Sequence, residues 1–514
     1  MHVIATAGHV DHGKSTIVRA LTGMEPDRWA EERRRGMTID LGFAWTAPGT
    51  GTQLAFVDVP GHERFVTNML AGLGPVPAVM FVVAADEGWM PQSAEHLAAV
   101  NALNIRHGLL VVTRADLADP ALATQQAAAE LQRTSLGTVE SIAVSGHTGA
   151  GVDTLRLALD RLAARLPEPA TDGPVRLWID RVFSITGSGT VVTGTLSAGT
   201  IRTGDELELA PVGGRARVRA VESLKTKMRE VPAVARVALN LRGLDRDRVA
   251  RGMALITPGR WTMTRTIDVR LRGLRSPVLP RELDLHIGSA RVRARVRMLD
   301  AGTARLALAR PLPLHVGERA LMRDSSRRVI GVRVLDVTPP PVRRHGGAAE
   351  RARRLAEAGD VPTAGFFLRQ HGVLRRSELV AAGCQVDQEP MIGDWLADPA
   401  FWDDLGNRLE QLVAARLARD PLEPGLPVET ARQALSLPDR RIVEALIRPP
   451  MRMSDGRIVS GQIADGMPPA VAAAVARVRA DLATSPFRAP EAARLIEIGL
   501  DRRVIGAAVR AAAL

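Results

Sequence analysis

The sequence predicts a multidomain α/β plus β protein. A doubly wound α/β phosphate-loop domain comes first, then two small β-barrels, then a helical C-terminal region. Three observations predict this. Residues 1–170 alternate short apolar runs with helical stretches, such as 125–133 and 152–165. From Val175 to Val337 the apolar period falls to two, punctuated by Gly and Asp turns. Beyond Thr338-Pro339-Pro340-Pro341, a stiff linker, the chain turns rich in Ala, Arg and Leu.

The first domain opens on Val3-Ile4-Ala5, the strand that feeds Gly8-His9-Val10-Asp11-His12-Gly13-Lys14-Ser15-Thr16. This fits the phosphate-loop pattern G-x-x-x-x-G-K-[ST]. Successive N–H groups from Asp11 to Thr16 can wrap a nucleotide's phosphates, and the next helix turns its positive end to them. Lys14 would bridge the terminal phosphates and the Ser15 hydroxyl would ligate Mg²⁺. Of the 68 Lys and Arg residues, three are lysines: Lys14, Lys225 and Lys227. The loop has kept its compact ammonium in a chain that otherwise uses guanidinium, which would not thread between phosphates.

Leu54-Ala55-Phe56-Val57 runs into Asp58-Val59-Pro60-Gly61-His62. A carboxylate at that strand end can hold the Mg²⁺ shell, and the Gly61 amide can sense a γ-phosphate. In the intervening Arg35-Gly36-Met37-Thr38-Ile39-Asp40, Thr38 is a candidate second Mg²⁺ ligand on a segment ordered by triphosphate.

Two further strand ends concern the base. Leu109 to Val112 leads to Thr113-Arg114-Ala115-Asp116, where Asp116 can accept two hydrogen bonds from guanine N1 and N2. Ile142 to Val144 leads to Ser145-Gly146, where a backbone N–H can reach guanine O6. Either one alone is an ordinary turn. Four motifs in order, each after an apolar strand, point to a GTPase using GTP/GDP and Mg²⁺.

The chain here resembles the translational GTPases, and among them the bacterial selenocysteine-specific elongation factors. The resemblance is carried by the phosphate loop, by R-G-M-T-I-D-L-G-F-A (Arg35 to Ala44), by D-V-P-G-H-E-R-F-V-T-N-M-L-A-G (Asp58 to Gly72) and by A-A-D-E-G-W-M-P-Q-S-A-E-H-L (Ala84 to Leu97). It implies that His62 orients the attacking water and that Val10 and Met37 form an apolar gate holding His62 back. It implies selenocysteinyl-tRNA and the ribosome as partners. The chain departs from the family at Arg114, where Lys is usual, and at Gly146, where Ala is usual. Two alternatives stand beside this reading: a GTPase carrying another tRNA, and an RNA-binding protein with a degenerate nucleotide domain.

The two barrels are expected at 175–260 and 261–338, with strands at 175–179, 189–194, 206–209, 216–221 and 290–296. By resemblance, Asp180, Arg181 and Arg236 of the first barrel line a selenocysteine pocket. A selenol is more acidic than a hydroxyl, so arginines would favour it over serine. For Arg236 a routine surface ion pair is the competing reading.

After the linker the family carries winged-helix modules that bind a selenocysteine-insertion hairpin in mRNA. They are expected at 348–400, with a helix-turn-helix over Phe366 to Gly383, at 401–461, with Arg452 to Val459 as the wing around Asp455-Gly456, and at 466–514. The family has four modules, with the hairpin on the last. Here the third stops at Leu514 without wing strands, which sets the hairpin contact in question.

The remaining limits agree. The 514 residues are 46% hydrophobic and carry a net charge of +12, which suits a polyanionic partner, although an Arg-rich composition alone gives the same number. The single cysteine, Cys384, leaves no intrachain disulfide and fits a reducing compartment. No leader and no membrane-length apolar run is read. A monomeric cytoplasmic protein is expected.

Overall fold

The computed structural model describes residues 2–26, 38, 40–46, 53–62, 65–74, 76–185, 189–273, 279–324, 328–342, 346–419, 425–460, 469–486 and 488–510. It divides into two compact units. One holds Met1–Thr363 with Val380–Gln385; the other holds Ala364–Leu379 with Val386–Leu514.

The first unit begins with β1 (His2–Gly8), α1 (Lys14–Thr22), β2 (Gly42–Trp45), β3 (Leu54–Asp58), α2 (Val66–Leu73), β4 (Ala78–Ala84), α3 (Pro91–Ala102), β5 (His107–Thr113), α4 (Ala121–Gln132), β6 (Glu140–Ala143) and α5 (Val152–Ala164). The sheet order is β2-β3-β1-β4-β5-β6. β3, β1, β4, β5 and β6 run parallel, and β2 is antiparallel to β3. β4 is buried along its whole length because helices cover both faces, which is why AVMFVVA reads as an unbroken apolar run. One core, with Phe81 and Met69, lies on one face; the other, with Phe56 and Leu155, lies on the opposite face.

The first barrel follows. Its strands are β7 (Arg176–Trp178), β8 (Arg181–Ile185), β9 (Gly189–Leu196), β10 (Thr200–Arg202), β11 (Glu206–Ala210), β12 (Arg215–Ser223), β13 (Thr226–Met228), β14 (Glu230–Pro232), β15 (Ala235–Arg242) and β16 (Ala254–Ile256). The path β11-β16-β7-β9-β15-β12 closes through β11–β12 pairing. The second is the closed barrel β17 (Thr262–Arg272), β20 (Thr303–Leu314), β19 (Ala290–Met298), β18 (Glu282–Ile287), β21 (Arg319–Arg323), β22 (Val329–Asp336). Alternate burial along β12 and β19 sends every second side chain inward, so Ala and Val line the core and Arg faces out. The short β10, β13 and β14 carry no periodicity that sequence reasoning could find.

In the second unit, helices Ala364–His371 and Pro399–Arg419 flank a two-stranded pairing of Val373–Arg375 with Trp395–Ala397. A three-stranded sheet of Leu426–Pro427, Arg457–Ser460 and Met451–Ser454 follows, with helices Val428–Ala434 and Arg440–Leu446. The hairpin turns at Asp455 (φ 46°) and Gly456 (φ 73°), as expected of an Asp-Gly pair. Trp402, Leu409, Ile442 and Ile458 share its core. Helices Pro469–Thr484, Ala492–Glu497 and Arg502–Arg510 form a separate cluster around Val475 and Leu500. Among the described residues no helix is long and apolar enough to cross a membrane.

Candidate functional site

The phosphate loop leaves β1 at the carboxyl edge of the sheet. Gly8 sits at φ 134°, and a Cβ there would come within 2.1 Å of the Val82 carbonyl oxygen, so only glycine fits. Asp11 (φ 62°) and Gly13 (φ 79°) turn the chain back into α1. No side chain caps this helix, which leaves its first N–H groups open to a phosphate. Lys14 is buried and donates to the Gly8 carbonyl (3.2 Å) and the His9 carbonyl, so its ammonium waits across its own loop.

Ser15, Thr38 and Asp58 converge. Ser15 Oγ donates to Asp58 Oδ2 at 2.6 Å and lies 3.0 Å from Thr38 Oγ1. Asp58 Oδ1 accepts from Thr6 Oγ1 at 2.7 Å, and the Thr6 hydroxyl accepts from the Val59 N–H at 3.1 Å. Asp58 is fully buried, and burial raises its pKa against the Ser15 hydrogen bond and the Lys14 charge. Two hydroxyls and a buried carboxylate at this spacing fit a hard divalent cation.

Gly61 packs against this centre. A Cβ on it would lie 2.6 Å from Lys14 Nζ and 2.6 Å from the Val10 nitrogen. His62 follows, partly buried, with its ring 6.0 Å from that of Phe65. Val10 donates its N–H to Gln92 Oε1 at 3.0 Å. Met37, the other expected gate residue, lies outside the described residues.

Sequence reasoning missed His96. It is buried on α3, one turn after Gln92; its Nδ1 accepts the Gly8 N–H at 3.1 Å and its ring also hydrogen-bonds the Gly61 backbone. Burial, followed by the Lys14 and His9 charges, lowers its pKa to about 3, so the ring is neutral. The signal was the i, i+4 pair of polar side chains within A-A-D-E-G-W-M-P-Q-S-A-E-H-L.

The base end is a cavity of about 330 Å³ whose walls include Asp11, Gly13, Thr16, Thr113, Asp116 and Gly146. Thr113 Oγ1 donates to the carbonyl of His12, whose side chain is buried beneath the loop. Arg114 bonds the Asp11 carbonyl, Asp86 (2.8 Å) and Glu87 (2.7 Å), so its guanidinium anchors the loop. Asp116 is open to solvent, and the Ser145 hydroxyl is the first cause holding its pKa below the ordinary value. Gly146 has a local reason: a Cβ there would lie 2.8 Å from Thr16 Cγ2.

The first barrel brings Asp180, Arg181 and Arg236 together. Arg236 makes a bidentate pair with Asp180, one arm at 2.8 Å, and also bonds Thr193 Oγ1 at 3.0 Å. Thr193 in turn donates to Asp180 at 2.7 Å. The Arg236 guanidinium lies 3.7 Å from the centre of the Phe43 ring. Arg181 donates to Asp40 Oδ2 (3.3 Å) and to the Leu41 carbonyl, and Arg251 lies 3.6 Å from Asp40. Asp40, Phe43 and Thr193 were not foreseen, since contacts 13 to 211 residues apart leave no local pattern.

Comparison with known proteins agrees with this architecture. Residues 1–165 match the elongation factor Tu GTP-binding domain, 189–256 its domain 2, and 279–341 the β-barrel domain of the selenocysteine-specific elongation factor. The selenocysteine-specific elongation factor of Escherichia coli is 34% identical over 87% of this chain and 75% of its own length. That of Desulfomicrobium baculatum is 36% identical over 69% of this chain and 59% of its own, so the match spans about three-fifths of that relative. A crystal structure of bacterial selenocysteine-specific elongation factor superposes over 99% of this chain and 88% of its own, with TM-score 0.79 and 25% identity. Elongation factor SelB of Methanococcus maripaludis, crystallised with a GTP analogue, shares the fold over 66% of this chain and 79% of its own, with TM-score 0.58 and 23% identity. With its GTPase-type sheet, its two barrels and these relatives, the chain belongs to the family of selenocysteine-specific elongation factors.

Proposed function

We propose that this protein binds GTP and selenocysteinyl-tRNA, delivers the tRNA to the ribosome at UGA codons and hydrolyses GTP there. One observation supports it most. Thr38 lies beside Ser15, Asp40 pairs with Arg181, and the Phe43 ring lies against Arg236. These three residues link occupancy of the nucleotide site to the shape of the barrel pocket.

The residue roles in this reading are these. N–H groups of Asp11, His12, Gly13, Lys14, Ser15 and Thr16 cradle the phosphates, and Lys14 swings from its loop carbonyls to the terminal ones. Ser15, Thr38 and Asp58 would hold Mg²⁺, which would supply positive charge against the phosphates. The Gly61 N–H meets the γ-phosphate. His62 orients water for in-line attack, behind a gate of Val10 and Met37. Thr113 and Arg114 brace the loop, Asp116 reads guanine N1 and N2, and backbone at Ser145 and Gly146 reads O6. Asp180, Arg181 and Arg236 favour a selenolate over a neutral hydroxyl. GTP and tRNA functions are assigned to residues 1–338, and no mRNA hairpin contact is assigned to the modules 348–400, 401–461 and 466–514. The factor works as a monomer in the cytoplasm.

Single-turnover GTP hydrolysis with ribosomes tests this. The native chain should be strongly stimulated, and His62→Ala should lose about 100-fold or more. No stimulation of the native chain would favour a non-enzymatic RNA-binding protein.

A further inference from the structure

Five arginines gather where the GTPase-type domain meets the second barrel. Arg270 on β17 pairs directly with Arg333 on β22, which pairs directly with Arg319 on β21. Like charges set side by side across three strands destabilise a sheet unless an anion joins them. Arg272 shares the face of Arg270, two residues along the strand. Arg106, exposed beyond α3, is near enough to repel Arg319 and Arg333.

The guanidinium groups are held in place by carbonyl oxygens. Arg319 donates to Leu103 (3.2 Å) and Asn104 (2.9 Å), Arg333 to Gly317 (2.7 Å), and Arg270 to Gly359 and Leu355 (3.2 Å). Among the described residues one carboxylate is seen to pair with them. Asp360 receives Arg272 at 2.9 and 3.1 Å and Arg270 at 3.2 Å, with Arg333 at 3.9 Å. The Arg272 hydrogen bond is the first cause holding the Asp360 pKa down. Arg319 and Arg333 are lowered from the usual guanidinium value, by burial first, with repulsion from neighbouring arginines among the further causes. One negative charge does not balance this row.

We propose that the row formed by Arg106, Arg319, Arg333, Arg270 and Arg272 binds phosphates of an RNA backbone, with Asp360 as the resident counter-ion that a phosphate displaces. The row crosses three strands spaced about 4.8 Å apart, longer than one phosphate needs, which favours a polymer over a free anion. It is separate from the nucleotide site. The helix α3, of 12 residues, touches Val10 through Gln92 near its start, and the residues just past its end touch Arg319. At 1.5 Å per residue the two places lie about 18 Å apart. Asp360 also stands just before Ala364, where the second compact unit begins.

The test uses the full chain, a short fluorescein-labelled oligouridylate and inorganic phosphate as probes, and anisotropy at several salt concentrations. Asp360→Asn should tighten oligouridylate binding by roughly fivefold, since it frees one phosphate contact. The double variant Arg106→Ala/Arg272→Ala, at two exposed positions, should weaken it and reduce the slope of log K against log salt by roughly 1.4. GTP affinity should stay constant in all three proteins, as a check of folding. Unchanged affinity and slope in both variants would overturn the proposal. Tighter inorganic phosphate binding by Asp360→Asn without tighter oligouridylate binding would overturn the RNA assignment in favour of a free-anion site. Neither readout needs the selenocysteinyl group, so failure of the carrier function would register separately, as loss of aminoacyl-tRNA binding.

Discussion

Phe43→Leu separates the two ends of the segment that joins the nucleotide site to the barrel. The Phe43 ring lies 3.7 Å from the Arg236 guanidinium and 5.1 Å from that of Arg181. Arg236 is largely buried, with 13% of its side chain exposed, so its charge is poorly screened. A desolvated cation–π contact contributes up to about 2 kcal/mol, against about 0.5–1 kcal/mol at exposed sites. Leucine keeps the apolar volume and removes the ring quadrupole. The expected loss is therefore about 1–2 kcal/mol, or about 5- to 30-fold in affinity for selenocysteinyl-tRNA in the GTP state. GTP affinity itself should hold within about twofold, because Thr38, Ser15 and Asp58 keep their mutual contacts. The assay is a paired titration: a fluorescent GTP analogue for the nucleotide, and aminoacyl-ester protection for the tRNA. An equal loss in both affinities, or no loss for the tRNA, would refute the division of labour within the segment.

Two further predictions concern His96 and Gly146, each fixed by a contact with the phosphate-loop region. His96 is held neutral with its pKa at about 3, below the ordinary 6.5. A histidine lowered in this way supports the fold fully above about 6.5 and loses that support as pH falls toward its folded value. His96→Gln should flatten the acid limb of thermal stability between pH 6.5 and about 3, read by scanning calorimetry; an unchanged limb would show that other groups set it. Gly146→Ala should weaken guanine-nucleotide binding by less than about tenfold, because the new Cβ meets Thr16 Cγ2 at 2.8 Å. Adding Thr16→Ser, which removes that methyl, should restore it in the same binding assay, and failure to restore would mean the clash is not the cause.

Much of the candidate nucleotide site was legible because its pieces are local. Each motif follows an apolar strand, and a parallel sheet brings strand ends to one edge whatever lies between them. That is why Lys14, Asp58, Thr113 and Asp116, widely spaced in sequence, meet around one cavity and its phosphate loop. The barrels announced themselves through period-two burial, as in Ala290–Met298. What stayed hidden depends on contacts between elements. His96 looked like one more helical residue until α3 packed under Gly8. Arg236 was named by resemblance alone, beside a surface ion pair as the competing reading, because its bidentate pair with Asp180 under Phe43 needs three elements folded together. The row of Arg270, Arg333 and Arg319 depends on strand register, which the sequence leaves open.

The carrier function is tested by protection of the aminoacyl ester from spontaneous hydrolysis, comparing selenocysteinyl and seryl groups on the same tRNA body. Strong protection of the selenocysteinyl form is expected with GTP, little with GDP, and little of the seryl form in either state. Equal protection of both groups would contradict the roles given to Asp180, Arg181 and Arg236, and protection of neither would contradict the carrier function itself.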